Sequence, residues 1–317
     1  MNNKLTFLTA AILTSSAAYA ELGEAGFTGS VGLGTGIFSE SSNLSTDGEK
    51  NITLGQSASS ESELTFEPIA KLEYTFGSAL NQQVYVGTHN EELINSDLAV
   101  ELGYVYQLEN GTNLDVSYIM SLMSEEVWQD PYAFNQDRDV TDVSESAFRF
   151  KADDIAGSQF SFDGLYSSKD VDKEASQYAS MQRSGSGFSG TLSYTHYLDE
   201  TSALVPSVTY AAFSAGGDAM SNSSYGVGLE YLKQMGQHAF SLSGEYSLTS
   251  YDATNEVFNK TQDDTAYGVS AMYQYESPMG MEDVTLLGLV SYEASSSNID
   301  FYDSSEYQLM VGATYSF

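Results

Sequence analysis

Apolar and polar positions alternate with a period of two along almost the whole of this chain. At the C-terminal end, Phe317, Tyr315, Ala313, Val311, Leu309 and Tyr307 fall on one side, and Ser316, Thr314, Gly312, Met310 and Gln308 on the other. Successive side chains of a strand point to opposite faces, so this segment reads as a strand with one greasy face and one wet face. The pattern recurs at 27–38, 64–76, 82–89, 97–107, 113–123, 142–152, 159–168, 187–197, 203–213, 224–232, 238–248, 265–275 and 283–292. In 64–76, Leu64, Phe66, Pro68, Ala70, Leu72, Tyr74 and Phe76 share one face, opposite Glu67, Lys71 and Glu73. Segment 283–292 is apolar on both faces, which leaves its register open. With the terminal strand the count is about fourteen, within a range of twelve to sixteen. Each strand has close to the roughly 10 residues that a tilted strand needs to cross hydrocarbon.

The connections carry a second period. Short ones at 77–81, 108–112, 153–158, 198–202, 233–237 and 276–282 alternate with longer ones at 39–63, 90–96, 124–141, 169–186, 214–223, 249–264 and 293–306. Aromatic residues bracket the apolar faces, as in Phe188 and Tyr194, Tyr225 and Tyr231, Tyr267 and Tyr273, and Tyr307 and Tyr315. Rings at both ends of a lipid-facing belt suit the two membrane interfaces, where an amphipathic ring is most stable. The fold expected is all-β: a monomeric transmembrane antiparallel β-barrel with both termini on the side of the short turns.

Composition changes this picture in three places. Residues 1–20 carry Lys4, an apolar stretch from Leu5 to Leu13 and a small-residue end at Ala18-Tyr19-Ala20. That is the pattern of a cleaved signal peptide, leaving 21–317 as the barrel. The chain has no cysteine, and its mean hydropathy of -0.24 reflects strands that are wet on one face. A net charge of -33 excludes nucleic-acid partners, which need a basic footprint.

A terminal strand that ends on an aromatic, with Tyr315 two residues before Phe317, resembles the closing strand that assembly machinery reads in Gram-negative outer-membrane barrels. The stretches FEPIAKLEYTFG (66–77), VWQDPY (127–132) and SNIDFYDSSEYQLMVGATYSF (297–317) resemble an uncharacterised family of such proteins, catalogued as a domain of unknown function (DUF2860). The resemblance implies an outer-membrane location and a barrel fold. It brings no activity, cofactor or catalytic residue.

Candidate chemistry lies inside the barrel and on its loops. Alternation points Glu67, Lys71, Glu73, Glu101, Asp115, Glu145, Arg149, Lys151 and Asp163 inward from one wall, but only Glu230 and Glu245 from the other. Two readings stay open: charges facing each other across a cation-preferring, porin-like channel, or a paired network that stiffens a filled barrel. Asp137, Asp139 and Asp142 have a spacing faintly like a calcium loop but lack its turn glycine. The acidic loops 252–264 and 298–306 suit solvation or weak divalent bridging to lipopolysaccharide phosphates. With only His89, His196 and His238 available and no nucleophile motif, no enzyme is expected.

Overall fold

The computed structural model describes residues 22–89 and 98–317, so the expected signal segment lies outside the described residues, as does the connection at 90–96. The first strands are β1 (Gly26–Ser41), β2 (Ser60–Phe76), β3 (Gln82–His89), β4 (Ala99–Gln107) and β5 (Asn113–Ser121). Then come β6 (Glu125–Trp128), β7 (Val140–Asp153), β8 (Phe160–Val171), β9 (Gly185–Tyr194), β10 (His196–Asp199) and β11 (Ser202–Ala215). The last are β12 (Asn222–Met235), β13 (His238–Asn255), β14 (Lys260–Glu276), β15 (Val284–Ser297) and β16 (Ser304–Ser316).

Each long strand pairs antiparallel with its sequence neighbour, and β16 returns to β1, so the sheet closes. β6 pairs only with β7, as a hairpin in the long connection. β10 follows β9 after Thr195 and pairs with β11, so it continues the line of β9. The wall therefore has fourteen strands, the number expected. Closure gives every strand of the wall a neighbour on both sides, which hydrocarbon demands.

The outer surface of this wall is apolar. Leu33, Phe66, Leu102, Val116, Phe148, Val227, Leu242 and Val311 all project from it. Ring pairs mark its two borders. Near the termini, Phe27 lies 4.7 Å from Tyr74, Phe160 4.9 Å from Tyr194, and Phe240 4.9 Å from Tyr273. Toward the other end, Tyr210 lies 5.0 Å from Tyr225, and Tyr267 6.2 Å from Tyr292. In 283–292, the segment with open register, Leu286, Val290 and Tyr292 face out, while Leu287 and Leu289 face the interior.

Two local features shape the wall. Phe317 exchanges backbone hydrogen bonds of 2.9 Å with Gly29, and its ring covers the spot where a Cβ on Gly29 would sit. The final aromatic thus locks the β1–β16 seam. Along β2, even-numbered residues direct their backbone groups toward β3. The described ladder between them stops at Lys71 opposite Gly87, and the next amide, Ala70, bonds the Thr88 hydroxyl at 3.1 Å. Pro68, which has no N–H, comes next on that side, where its missing donor costs no described ladder bond.

Several strands run further than the sequence pattern predicts. β13 and β14 continue through most of 249–264, leaving a turn at 256–259, so Asp263 and Asp264 are strand residues and not loop residues. β16 likewise includes Glu306. Above the membrane border no apolar face is required, so the alternation fades while the hydrogen-bond ladder continues.

Candidate functional site

The lumen has two unlike walls. On the charged one, Lys71 Nζ lies 2.7 Å from Glu73 Oε1 and 5.2 Å from the centre of the Tyr85 ring. Tyr85 extends across β4, over Gly103, to its neighbours on β4 and β5. Its hydroxyl lies 3.0 Å from Glu101 Oε1 and 3.0 Å from Asp115 Oδ2, and Ser117 donates to the same Glu101 oxygen at 2.5 Å. A Cβ at position 103 would overlap the Tyr85 ring, so only glycine permits this path. Arg149 forks onto Asp163, with Nε 3.0 Å from Oδ1 and Nη2 2.5 Å from Oδ2. Lys169 holds Glu145 at 2.9 Å. Register sets Lys151 between Asp115 on β5 and Asp163 on β8.

Burial separates the groups on this wall. Arg149, Glu145, Tyr85 and Ser117 are buried around Ala99, Ile119, Ala147 and Leu165, and Ile119 has no accessible surface. Buried ions need partners and hydrogen bonds, and these have them. The Lys71 side chain is half exposed. The inward charges of β5, β7 and β8 therefore form a packed, paired layer, while Lys71 faces open space.

The other wall is lined by small hydroxyl and glycine residues. Thr191 and Thr209 share a hydrogen bond of 2.9 Å, and Ser243 and Ser270 one of 2.7 Å. Glu230 is buried on β12, facing the Ser241 hydroxyl, and Glu245 lies opposite Gly228 and Gly268. Glu67 accepts from Gln308 at 3.2 Å across the β1 strip of Gly32, Gly34 and Gly36. The sequence reading missed Tyr85, Lys169 and Glu293. Tyr85 was detectable as the one inward ring in a strand whose outward residues are Val84 and Val86.

At the end opposite the termini, the connections fold together. Ile52, Tyr132, Met181, Ala219, Met220, Ile299, Phe301 and Tyr302 form one buried cluster, with Leu44, Phe134, Tyr178, Val257 and Phe258 packed against it. Six separate connections contribute. The Tyr132 and Tyr302 hydroxyls lie 2.7 Å apart, and Asn255 Nδ2 donates to Tyr302 at 2.7 Å. Trp128, fully buried, donates from Nε1 to the Ser45 carbonyl at 3.1 Å, with the Arg138 guanidinium 4.1 Å above its ring. Arg138 donates in turn to the Asn43 carbonyl at 2.7 Å and the Glu49 carbonyl at 2.6 Å. Burial lowers the Arg138 pKa to about 10 and raises that of Tyr132 to about 12. This is a folded cap across the outer end.

Asp137, Asp139 and Asp142 do not come together. Asp137 accepts from Asn51 Nδ2 at 3.2 Å, and Asp142 lies five residues further on, in β7, opposite Glu126. Among the described residues no group of three acidic or imidazole side chains is arranged to hold a metal ion. Tyr315 and Phe317 both face outward at the terminal border. His238 stacks on Tyr275 at that same border, and His196 on Tyr194. The His89 side chain lies outside the described residues.

A closed fourteen-strand barrel with an apolar exterior and two aromatic borders defines an outer-membrane β-barrel protein, and the outer membrane of a Gram-negative cell is its location. The chain belongs to the family described as protein of unknown function (DUF2860), whose model matches residues 26–316. No curated protein matches it. Among solved structures it is similar to a Pseudomonas aeruginosa FadL homologue, with 12% identity, 92% of this chain and 90% of that one covered, and a TM-score of 0.47. The Pseudomonas putida toluene transporter TodX gives 9% identity, coverage of 93% and 90%, and a TM-score of 0.47. An anion-selective porin from Comamonas acidovorans gives 9% identity, coverage of 93% and 100%, and a TM-score of 0.43. No solute is carried over from these structures.

Proposed function

We propose that this protein is a passive channel for ions and small hydrophilic solutes, with a preference for cations. The observation that carries the reading is the combination of barrel size and an inner wall rich in small hydroxyl and glycine residues. Fourteen strands about 4.8 Å apart and tilted about 40° give a backbone cylinder on the order of 28 Å across. Side chains fill barrels of about eight strands and leave larger ones hollow. From β9 to β14 much of the lining is Ser, Thr and Gly, with the carboxylates of Glu230, Glu245 and Asp264 among them, which suits water. Lys71 faces the open side, so it stands as the cation that opposes the acidic excess, whereas Arg149 serves the packed layer.

Stepwise conductance in planar bilayers tests the reading, with reversal potentials under a salt gradient giving the selectivity. Cation preference should increase in Lys71→Gln. Folded protein that gives no steps overturns the channel. The cap favours one other reading, a non-conducting surface barrel whose acidic loops meet divalent cations or lipopolysaccharide phosphates. Assembly as a monomer, with Tyr315 and Phe317 presented to the barrel-assembly machinery, belongs to either reading.

A further inference from the structure

Between the β1–β2 connection, the β13–β14 turn and the β15–β16 connection lies a half-open cavity of about 720 Å³. Its apolar wall is Leu54, Phe258, Ile299 and Phe301, and its carboxylates are Asp300 and Asp303. No lysine, arginine or histidine lines it. The Phe258 and Phe301 rings stand 5.3 Å apart and tilted by 37°; Phe301 is buried in the cap cluster, and the half-buried Phe258 ring is the more accessible of the two. Asp303 accepts the Ser297 amide at 2.7 Å through one oxygen, and Asp300 is exposed. The surroundings carry a cation, Lys260, whose Nζ bonds the Asn298 carbonyl, and a larger number of carboxylates. One residue below Ser41 and Ser305, which also line the cavity, register aligns Glu61, Glu40, Glu306 and Glu293 on four adjacent strands.

We propose that this cavity binds a small organic cation, an ammonium group carried on an aromatic or aliphatic body. The volume is that of an ordinary small-molecule site. Leu54 and Ile299 would cover the apolar body, and the half-buried Phe258 ring would offer its negative face to the ammonium. The carboxylates complete its neutralisation and turn anions of the same size away. A bare metal ion has no use for the apolar wall, so the charge complementarity and the greasy lining select one class together.

The test is calorimetric titration of the full barrel in non-ionic detergent with phenyltrimethylammonium, against a detergent blank and against phenylacetate as the anion of similar size. Saturable binding of the cation alone, weakening as salt is raised, is the expected result. Asp300→Asn should weaken it several-fold. Leu54→Trp, which fills the cavity from an exposed position, should abolish it. Absence of saturable cation binding overturns the proposal, as does equal binding of phenylacetate or unchanged affinity in both variants. The readout involves no conduction, so its failure and that of the channel reading are distinguishable.

Discussion

At residue scale, the charged wall depends on one ring lying over one glycine. Tyr85 reaches Glu101 and Asp115 only because position 103 has no Cβ. Tyr85→Phe removes a donor shared by two carboxylates and should cost about 2 kcal/mol in urea unfolding, the scale of a hydrogen bond to a charged group. Gly103→Ala should cost at least as much, and should add little once Tyr85→Ala is in place, because the overlap is then gone. The Arg149–Asp163 pair follows a different rule. Breaking it from one side with Arg149→Met leaves the half-buried Asp163 carboxylate without its fork and should cost about 3 kcal/mol, part of which the double variant with Asp163→Leu should recover. Tyr132 sets a pH dependence. Its folded pKa of about 12 lies above the ordinary tyrosine value of about 10, so its contribution is complete below pH 10 and is lost as pH rises through 12. The absorbance difference at 295 nm between the native protein and Tyr132→Phe should therefore show a step near 12; a step near 10 would place the phenol in water.

At the scale of elements, the β2–β3 seam makes a paired prediction. Pro68 lies where no described ladder bond needs its N–H, so Pro68→Ala should shift stability by less than about 1 kcal/mol. Ile69 directs its amide into the β1 ladder, and Ile69→Pro should cost about 3 kcal/mol or block folding into liposomes. Proline at 68 was visible in the sequence as an outward residue, but the side its backbone faces was not, because that depends on register. The same limit governs the rest. Strand number and turn positions were legible because the bilayer imposes one apolar face on each crossing. The upper parts of β13 and β14 escape that rule, and they were read as loops. The cap escaped altogether, since Ile52, Tyr132, Met181, Met220 and Phe301 sit in separate connections and periodicity compares only neighbours in sequence. His238 sits at the terminal border because it opens β13.

For the whole molecule, the decisive relation is between the cap and the barrel. The cap is held by apolar contacts among six connections and by Arg138, while the barrel is held by its ladders, so the two should fail separately. Trp128 is the single tryptophan, it lies inside the cap, and Arg138 covers its ring. Arg138→Ala removes that cover and the donors to the Asn43 and Glu49 carbonyls. Its emission should shift to the red while the β-sheet circular dichroism and the heat-modifiable migration of the barrel stay unchanged. If the cap is also the narrowest part of the conduit, Arg138→Ala combined with Tyr302→Ala should raise the single-channel conductance above that of the native protein. A red-shifted Trp128 with unchanged conductance would instead place the constriction deeper, at the packed layer around Ile119 and Arg149. A native protein that is silent but becomes conducting in the double variant would make the cap a plug, and would join the two readings of function into one gated barrel.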